Sequence, residues 1–141
     1  MWLSHLGVWR TVLRDGHAVA MVFEDDAIFD ESLADALSSM TIPDDTDIAL
    51  LGHQCMECTS STSADWYKVR RFYELHGYLI TRQGIQKALR YIGPLEKQID
   101  SWLSDLAVAG HLTIYASKRR GLVRQDKSFQ TSIQTPINPL E

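Results

Sequence analysis

The sequence predicts an α/β fold in which a mixed sheet is flanked by helices. Two apolar segments, 18–25 and 47–52, are typical of buried strands of parallel-sheet character. Segments with apolar residues at helical spacing alternate with them. This alternation favours a layered α/β architecture, and a chain of 141 residues has the length of one such domain, which we place at residues 1–134.

The first predicted element is a helix over residues 4–14. Ser4 is a candidate N-cap and Gly16 is a candidate helix stop. The apolar residues recur at helical spacing, which we interpret as core packing: Leu6, Trp9, Val12 and Leu13.

Three adjacent carboxylates end the first predicted strand, Glu24, Asp25 and Asp26. Because side chains alternate along a strand, we expect Glu24 and Asp26 to share a face and Asp25 to lie on the other. Oxygen ligands suit Mg²⁺ or Mn²⁺, and a cation would relieve the mutual repulsion of the carboxylates. The pattern therefore predicts either a metal site that opens onto a cleft or a solvated acidic turn, and on these residues alone the two interpretations stay open.

The middle of the chain combines a short helix, strands and one long loop. We predict a helix over 31–40, a buried strand over 47–52 and a functional or mobile loop over 53–65. Residues 66–72 and 75–80 are strand-like, with Glu74 among the interruptions between them.

Two clear helices and a short strand follow. Thr81 is a candidate cap for a helix over 82–91, and a second helix is expected over 98–109, followed by a strand over 112–116. The stretch 118–127 is locally basic, and 135–141 is expected to be a flexible tail.

Composition limits the possible classes of protein. The formal net charge of −4 argues against a dedicated nucleic-acid binder. No apolar run approaches the ~20 residues of a transmembrane helix, and the N-terminus lacks the pattern of a secretory signal, so we expect a cytoplasmic protein.

Cys55 and Cys58 form a CxxC motif. A redox pair and half of a zinc site, completed by His53 or His76, are both conceivable for this spacing. A second CxxC is absent, and a run of Ser and Thr follows the motif where a thioredoxin-like site would begin a helix. We therefore favour two reduced thiols in a surface loop.

The order of several short motifs resembles glycosyltransferase family 25, which includes lipopolysaccharide and lipooligosaccharide galactosyltransferases and is related to the collagen galactosyltransferases. The resemblance spans roughly residues 4–134. The matching pieces are SHLGVW at 4–9, VFEDDAI at 22–28, HGYLITRQGI at 76–85, Pro94, Ile99-Asp100, GLVRQ at 121–125 and SIQ at 132–134.

The resemblance implies a nucleotide-sugar transferase (GT-A) fold and a divalent metal, Mn²⁺ or Mg²⁺. It also implies inverting transfer of a hexose, galactose in many members, from a UDP-sugar donor to a hydroxyl of a glycan or lipid-linked saccharide acceptor. Under this resemblance Glu24 and Asp26 correspond to the outer acids of the metal-binding motif. Asp25 lies between them and is expected to contribute to cofactor binding.

Further roles follow from the same resemblance. Asp100 becomes a candidate for acceptor contact or catalytic base, although Gln98 and Ile99 replace the Pro-Val that usually precedes it; the alternative is an acid favoured by the helix dipole. His76, Gly77 and Tyr78 are expected to line the acceptor side, where Gly77 lets the backbone approach a ligand or else forms a strand bulge. Arg124 and the 118–120 run are expected to face the diphosphate or an anionic acceptor, or to be a solvated face.

The beginning of the chain differs from the family pattern. Family members usually have a strand and helix, which build part of the nucleotide pocket, before the Ser-His helix, whereas this chain starts at Met1, almost on that helix. We therefore expect a partial fold. It is either a fragment of a longer glycosyltransferase or a shortened relative, located at the inner face of the membrane. The alternative function is that of a non-catalytic remnant of the fold that serves as a binding or assembly module. A homo-oligomer is expected, because an uncovered sheet edge favours self-association.

Overall fold

The structure is a computed structural model that describes residues 2–128. Within them the predicted α/β architecture, a mixed sheet flanked by helices, is confirmed. The elements in chain order are α1 (Trp2–Arg14), β1 (Val19–Phe23), β2 (Ala27–Phe29), α2 (Leu33–Ser39), β3 (Ile48–Ser60), β4 (Trp66–Thr81), α3 (Arg82–Arg90), α4 (Ile99–Val108), β5 (Ile114–Ser117) and β6 (Val123–Gln125).

The main sheet has the strand order β1-β4-β3-β5. Strand β4 is antiparallel to β1 and β3, and β5 is parallel to β3, so β1, β3 and β5 all run in the same direction. Phe23 of β1 and Gly52 of β3 both pair with Gly77 of β4, and Leu50 pairs with Ala116 just before the end of β5. The end of β1, the middle of β3 and the end of β5 therefore lie side by side, in the position where ligands bind in many α/β sheets.

Strand β1 lies at the edge of the sheet, and the prediction that both of its faces are buried is wrong. Val19 is 50% exposed and Met21 is 42% exposed, whereas Val22 is 8% exposed and belongs to the core. The reason is topological. Strand β1 pairs with β4 on one side only, and helix α1 covers only one face of β1, the face with Val22. Apolar composition alone does not distinguish such an edge strand from a central one.

A long hairpin of β3 and β4 replaces the predicted loop over 53–65. Strand β3 continues to Ser60, and its outer half pairs with residues 67–73 of β4 through several register shifts. Strand β4 is also continuous, because the predicted interruption is absorbed at Glu74, whose φ is +66°. Only residues 61–65 connect the two strands.

The helix predictions are largely confirmed. Thr81 caps α3, since its Oγ1 accepts a hydrogen bond from the Gly84 N–H at 3.0 Å. Gly16 follows α1 at φ +75°, which favours glycine. Ser4 is not the N-cap of α1, because the helix begins at Trp2, whose Nε1 donates to the Lys97 carbonyl oxygen at 2.6 Å.

Strand β6 covers the face of the sheet opposite α1 and was not predicted as a strand. It pairs antiparallel with β2 in a separate two-stranded sheet. Val123 of β6 packs on Gly77, where a Cβ atom would lie 2.9 Å from the Val123 Cγ1. Glycine is therefore required here by packing within the chain.

The motif at 132–134 and the expected tail at 135–141 lie outside the described residues. Among the helices of residues 2–128, none has the length and apolar character that crossing a bilayer requires.

Candidate functional site

Glu24, Asp25 and Asp26 form a tight turn directly after β1, and we call them the acid turn. The strand ends at Phe23, and the Ala27 N–H donates to the Glu24 carbonyl oxygen at 3.1 Å. The alternation of side chains expected for a strand therefore does not apply to these residues. The Glu24 N–H donates to the His76 carbonyl oxygen at 3.1 Å, which ties the turn to β4.

Glu24 lies beside a buried polar network on the α1 side of the sheet. Its Oε1 is 3.8 Å from His5 Nε2, and His5 Nδ1 is 2.7 Å from the Tyr78 hydroxyl. The Trp9 indole can only donate, and its Nε1 donates to the same hydroxyl at 3.1 Å. The hydroxyl can at the same time donate a hydrogen bond to His5 Nδ1, which leaves His5 Nε2 facing Glu24.

Tyr78 is fully buried, although the family resemblance places it on the acceptor side. Burial raises the pKa of its hydroxyl well above the usual value. A ligand at the surface therefore cannot contact Tyr78 directly. Any influence of Tyr78 on a ligand passes through His5 and Glu24.

Asp26 lies on the opposite side, against β6. Its Oδ2 accepts a hydrogen bond from Gln125 Nε2 at 2.8 Å, and its carbonyl oxygen accepts one from the Asp126 N–H at 2.8 Å. Its Oδ1 is buried and has no hydrogen-bond partner within the described residues. Asp25, between the two acids, is exposed to solvent.

A cleft of about 740 Å³ lies at the same edge of the sheet, and we call it the basic cleft. Four cations line it, Arg119, Arg120, Arg124 and Lys127, and none of them forms an ion pair with a carboxylate of residues 2–128. Glu74 is the one carboxylate among its described lining residues. Gln125 also lines the cleft and so connects it to Asp26.

His76 and His53 line the cleft with defined proton positions. His76 Nε2 is 3.0 Å from the Val123 carbonyl oxygen, which can only accept, so Nε2 carries the proton. His76 Nδ1 is buried, forms no hydrogen bond within the described residues, and lies 3.8 Å from Glu74 Oε2. His53 Nε2 similarly faces the Ser117 carbonyl oxygen at 3.3 Å, and burial is the main cause that lowers the pKa of His53.

Asp100 lies behind this wall of the cleft rather than in it. It is 8% exposed, its Oδ2 accepts the Glu74 N–H at 3.0 Å, and its Oδ1 accepts the Ser101 N–H at 2.7 Å. Asp100 Oδ1 therefore acts as an acid at a helix N-terminus, as one of the two interpretations expected. Its Oδ2 instead binds the backbone of Glu74. The side chain of Glu74 itself lines the cleft.

The structure thus brings some of the predicted residues together and separates others. The acid turn, His76 and Arg124 lie at one edge of the sheet. Tyr78 and Asp100 are buried and do not line the basic cleft. Glu74 was missed as a site residue; an acid that interrupts a strand-like segment was the available signal. Lys118 is separated from the arginines that follow it, because its Nζ donates to the Ser63 carbonyl oxygen at 3.1 Å.

The residues present could hold a divalent cation only together with a ligand that supplies further oxygen atoms. Among residues 2–128, no group of three Asp, Glu, His or Cys side chains is close enough to hold a metal ion. The unpartnered Oδ1 of Asp26 is, however, an acceptor that a cation would satisfy. Mg²⁺ and Mn²⁺ are often held by one or two carboxylates together with phosphate oxygens of a substrate, so the fit is to a cation that arrives with a phosphate ligand.

The two cysteines are joined by a disulfide, so the expectation of reduced thiols is wrong. Both lie in β3, where the hairpin has its register shifts, and both line the basic cleft. A bulged strand brings the two side chains together, a geometry that a loop assignment did not anticipate.

Comparison with known proteins assigns a family. A family model described as glycosyltransferase family 25 (LPS biosynthesis protein) matches residues 2–103. The match includes the acid turn, Glu74, His76 and Asp100, and it ends before the four cations of the basic cleft. No curated protein matches the chain significantly.

Proposed function

The chain belongs to glycosyltransferase family 25, and from that premise we propose that it transfers galactose from UDP-galactose to a hydroxyl of a cell-surface glycan, with inversion. The family is one of lipopolysaccharide biosynthesis, so a sugar donor and a glycan acceptor are implied for this chain. The identity of the sugar, the UDP leaving group, the metal and the GT-A architecture are parts of the proposal.

The observation that supports the proposal most is the unpartnered, buried Oδ1 of Asp26, whose other carboxylate oxygen accepts a hydrogen bond from Gln125 in the lining of the basic cleft. We assign Asp26 to a cation shared with the donor diphosphate. Asp25 lies on the solvent side of the acid turn, and Glu24 lies on the α1 side. A bound Mn²⁺ would supply Lewis-acid stabilisation of the leaving UDP. Gln125 orients the Asp26 carboxylate through its 2.8 Å hydrogen bond, and Arg124, the preceding residue, adds a positive charge for the diphosphate.

Inverting transfer also requires a group that accepts the proton of the attacking hydroxyl. As the acceptor oxygen bonds to the anomeric carbon, the bond to UDP breaks and its electron pair leaves with UDP. We assign the proton to the Glu74 carboxylate, which lines the cleft. Asp100, with both oxygens on backbone N–H groups, acts in this proposal as a positioning residue that holds Glu74.

His76 and Gly77 link Glu74 to the acid turn along β4. The His76 carbonyl oxygen holds the acid turn, and the His76 imidazole is held on Val123 beside Glu74. In the proposal these residues limit the movement of Glu74 and Glu24 relative to each other. Such positioning contributes to catalysis because reacting groups must be held in attack geometry.

The test is release of UDP or GDP from a panel of UDP-galactose, UDP-glucose and GDP-mannose in the presence of Mn²⁺. The proposal expects release of UDP with a preference for UDP-galactose, lost in Glu74→Gln while UDP binding remains. The matched control is Asp44→Asn, an exposed acid far along the chain from the acid turn. A folded protein that releases nucleotide from no donor would instead support the non-catalytic binding module.

A further inference from the structure

The Cys55–Cys58 disulfide depends on a bulge in β3. In a regular strand, residues three apart point to opposite faces of the sheet, so their side chains cannot meet. Cys55 and Glu57 have adjacent partners in β4, so Met56, which lies between them, is an extra residue of β3. The extra residue brings both sulfur atoms to one face, and the two Cα atoms are 6.0 Å apart, a usual separation for a disulfide.

Few other side-chain interactions of the described residues hold the bulge. Met56 is 51% exposed, and residues 59–60, which follow the bulge, are exposed as well. Glu57 forms ion pairs with Arg70 and Arg71 at 4.0 and 3.6 Å. All three of these side chains are more than a third exposed, and such surface pairs contribute little to stability. The conformation of the bulge therefore depends strongly on the disulfide.

The two cysteines differ in their packing. Cys58 packs against the core that the sheet forms with α1, α3 and α4, so its position does not require the disulfide. Cys55 packs against neither of the two core clusters of the described residues. Residues 53–56 all line the basic cleft, and we call them the cleft wall. Breaking the disulfide would therefore release the cleft wall at Cys55 and leave Cys58 in place.

Both sulfur-bearing side chains are accessible from the basic cleft. They are half-buried, and they line a cleft of about 740 Å³, which has room for a small thiol compound. The described lining contains four Arg or Lys side chains and one carboxylate, so its charge is positive. Positive surroundings favour the thiolate form of cysteine, which is the form that attacks a disulfide. Accessible disulfides are more easily reduced than inaccessible ones, which typically have a structural role.

From these observations we infer that Cys55 and Cys58 form a reversible redox site for thiol compounds, and that its oxidation state sets the conformation of the cleft wall. The thiolate of a small thiol such as glutathione attacks one sulfur, and the electron pair of the S–S bond passes to the other sulfur, which takes up a proton. A second thiolate then displaces the protein from the mixed disulfide. Two thiol molecules thus become one disulfide, and the protein gains two thiol groups.

Reduction by glutathione under native conditions tests the redox site, with the thiols counted by alkylation and mass spectrometry. We expect the rate of reduction to rise in proportion to the glutathione concentration, because the thiol attacks the folded chain, and oxidised glutathione to form the disulfide again. A rate that is independent of the glutathione concentration would overturn the inference, since exchange would then require unfolding. Failure of the disulfide to form again in the folded chain would overturn it as well.

Hydrogen exchange of the oxidised and reduced chains tests the change in the cleft wall. Residues 53–60 should exchange at least about tenfold faster in the reduced chain, whereas β1 should be unchanged. The double variant C55S/C58S should match the reduced chain and not respond to glutathione. The control Thr59→Ser, an exposed change in the same strand, should keep the wild-type response. Equal exchange of residues 53–60 in both folded forms, or faster exchange throughout the chain, would overturn the inference. No step of this test requires the proposed glycosyl transfer.

Discussion

The carboxylate of Asp100 accepts the backbone N–H of Glu74 at 3.0 Å, and Glu74 is the one non-glycine residue with positive φ among residues 2–128. The first turn of α4 therefore supports an unusual backbone conformation in the middle of β4. Residues held in sparsely populated conformations occur often at functional sites. Here the consequence is that the Glu74 side chain reaches the basic cleft.

We expect Asp100→Ala to lower the free energy of unfolding by about 1–3 kcal/mol, because it leaves the Glu74 N–H without its acceptor. Asp100→Asn keeps one acceptor oxygen and should cost less. Asp35→Ala, at an exposed acid in the first turn of α2, should change stability by no more than about 0.5 kcal/mol. Urea unfolding measures all three. Equal stability of Asp100→Ala and the wild type would contradict the role assigned to this carboxylate.

Glu74→Gly should stabilise the chain relative to Glu74→Ala by about 1 kcal/mol, because glycine adopts positive φ without the steric cost of a Cβ atom. Both variants remove the carboxylate, so both should lose UDP release in the donor panel. The comparison separates backbone strain from the chemistry of the side chain. Identical urea midpoints for the two variants would show that no such strain is present.

Tyr78→Phe should lower the free energy of unfolding by about 1–3 kcal/mol, since Trp9 Nε1 and His5 Nδ1 lose their partner in the core. The variant should also change the dependence of stability on pH. Burial raises the pKa of Tyr78, so above about pH 10 the unfolded chain loses a proton that the folded chain retains. Stability is therefore full below that pH and falls as the pH rises.

Urea unfolding between roughly pH 9 and 11 checks this sign. The wild type should lose stability across the range, and Tyr78→Phe should lose less of it. Tyr115, whose pKa burial and Asp45 raise to about 12, contributes with the same sign and remains in the variant. The same slope for both proteins would show that Tyr78 ionises as readily in the folded chain as in the unfolded one.

Reduction of the Cys55–Cys58 disulfide should lower the free energy of unfolding by no more than about 2 kcal/mol, because the bond closes a very short loop. The double variant C55S/C58S should match the reduced protein and be insensitive to reductant. Thermal unfolding with and without dithiothreitol provides the measurement. Stoichiometric zinc in the reduced protein, lost in the double variant, would instead restore the interpretation as half of a zinc site.

Local signals in the sequence predicted the helices well. Each of these signals acts over only a few residues of the chain: the Thr81 cap, the Gly16 stop and the apolar spacing of α4. Strand environments depend on partners far along the chain, and those were predicted poorly. The exposure of β1 follows from its edge position, and the pairing of 53–60 follows from the opposite arm of the hairpin.

The site was predictable as a set of residue types but not as a geometry. The acid turn and His76 were identified from their sequence, and the structure places them at one edge of the sheet. The burial of Tyr78 depends on α1 packing, and the role of Asp100 depends on its contact with Glu74, 26 residues away. Neither contact has a signal in the spacing of residues.

Calorimetric titration of Mn²⁺ with and without UDP tests the central claim, that the acid turn and a phosphate ligand hold a cation together. We predict weak binding of Mn²⁺ alone and tighter binding with UDP, because the diphosphate supplies the missing ligands. The coupling should disappear in Asp26→Asn and persist in the control Asp44→Asn. Absence of coupling in the wild type, or coupling unchanged in Asp26→Asn, would contradict the claim.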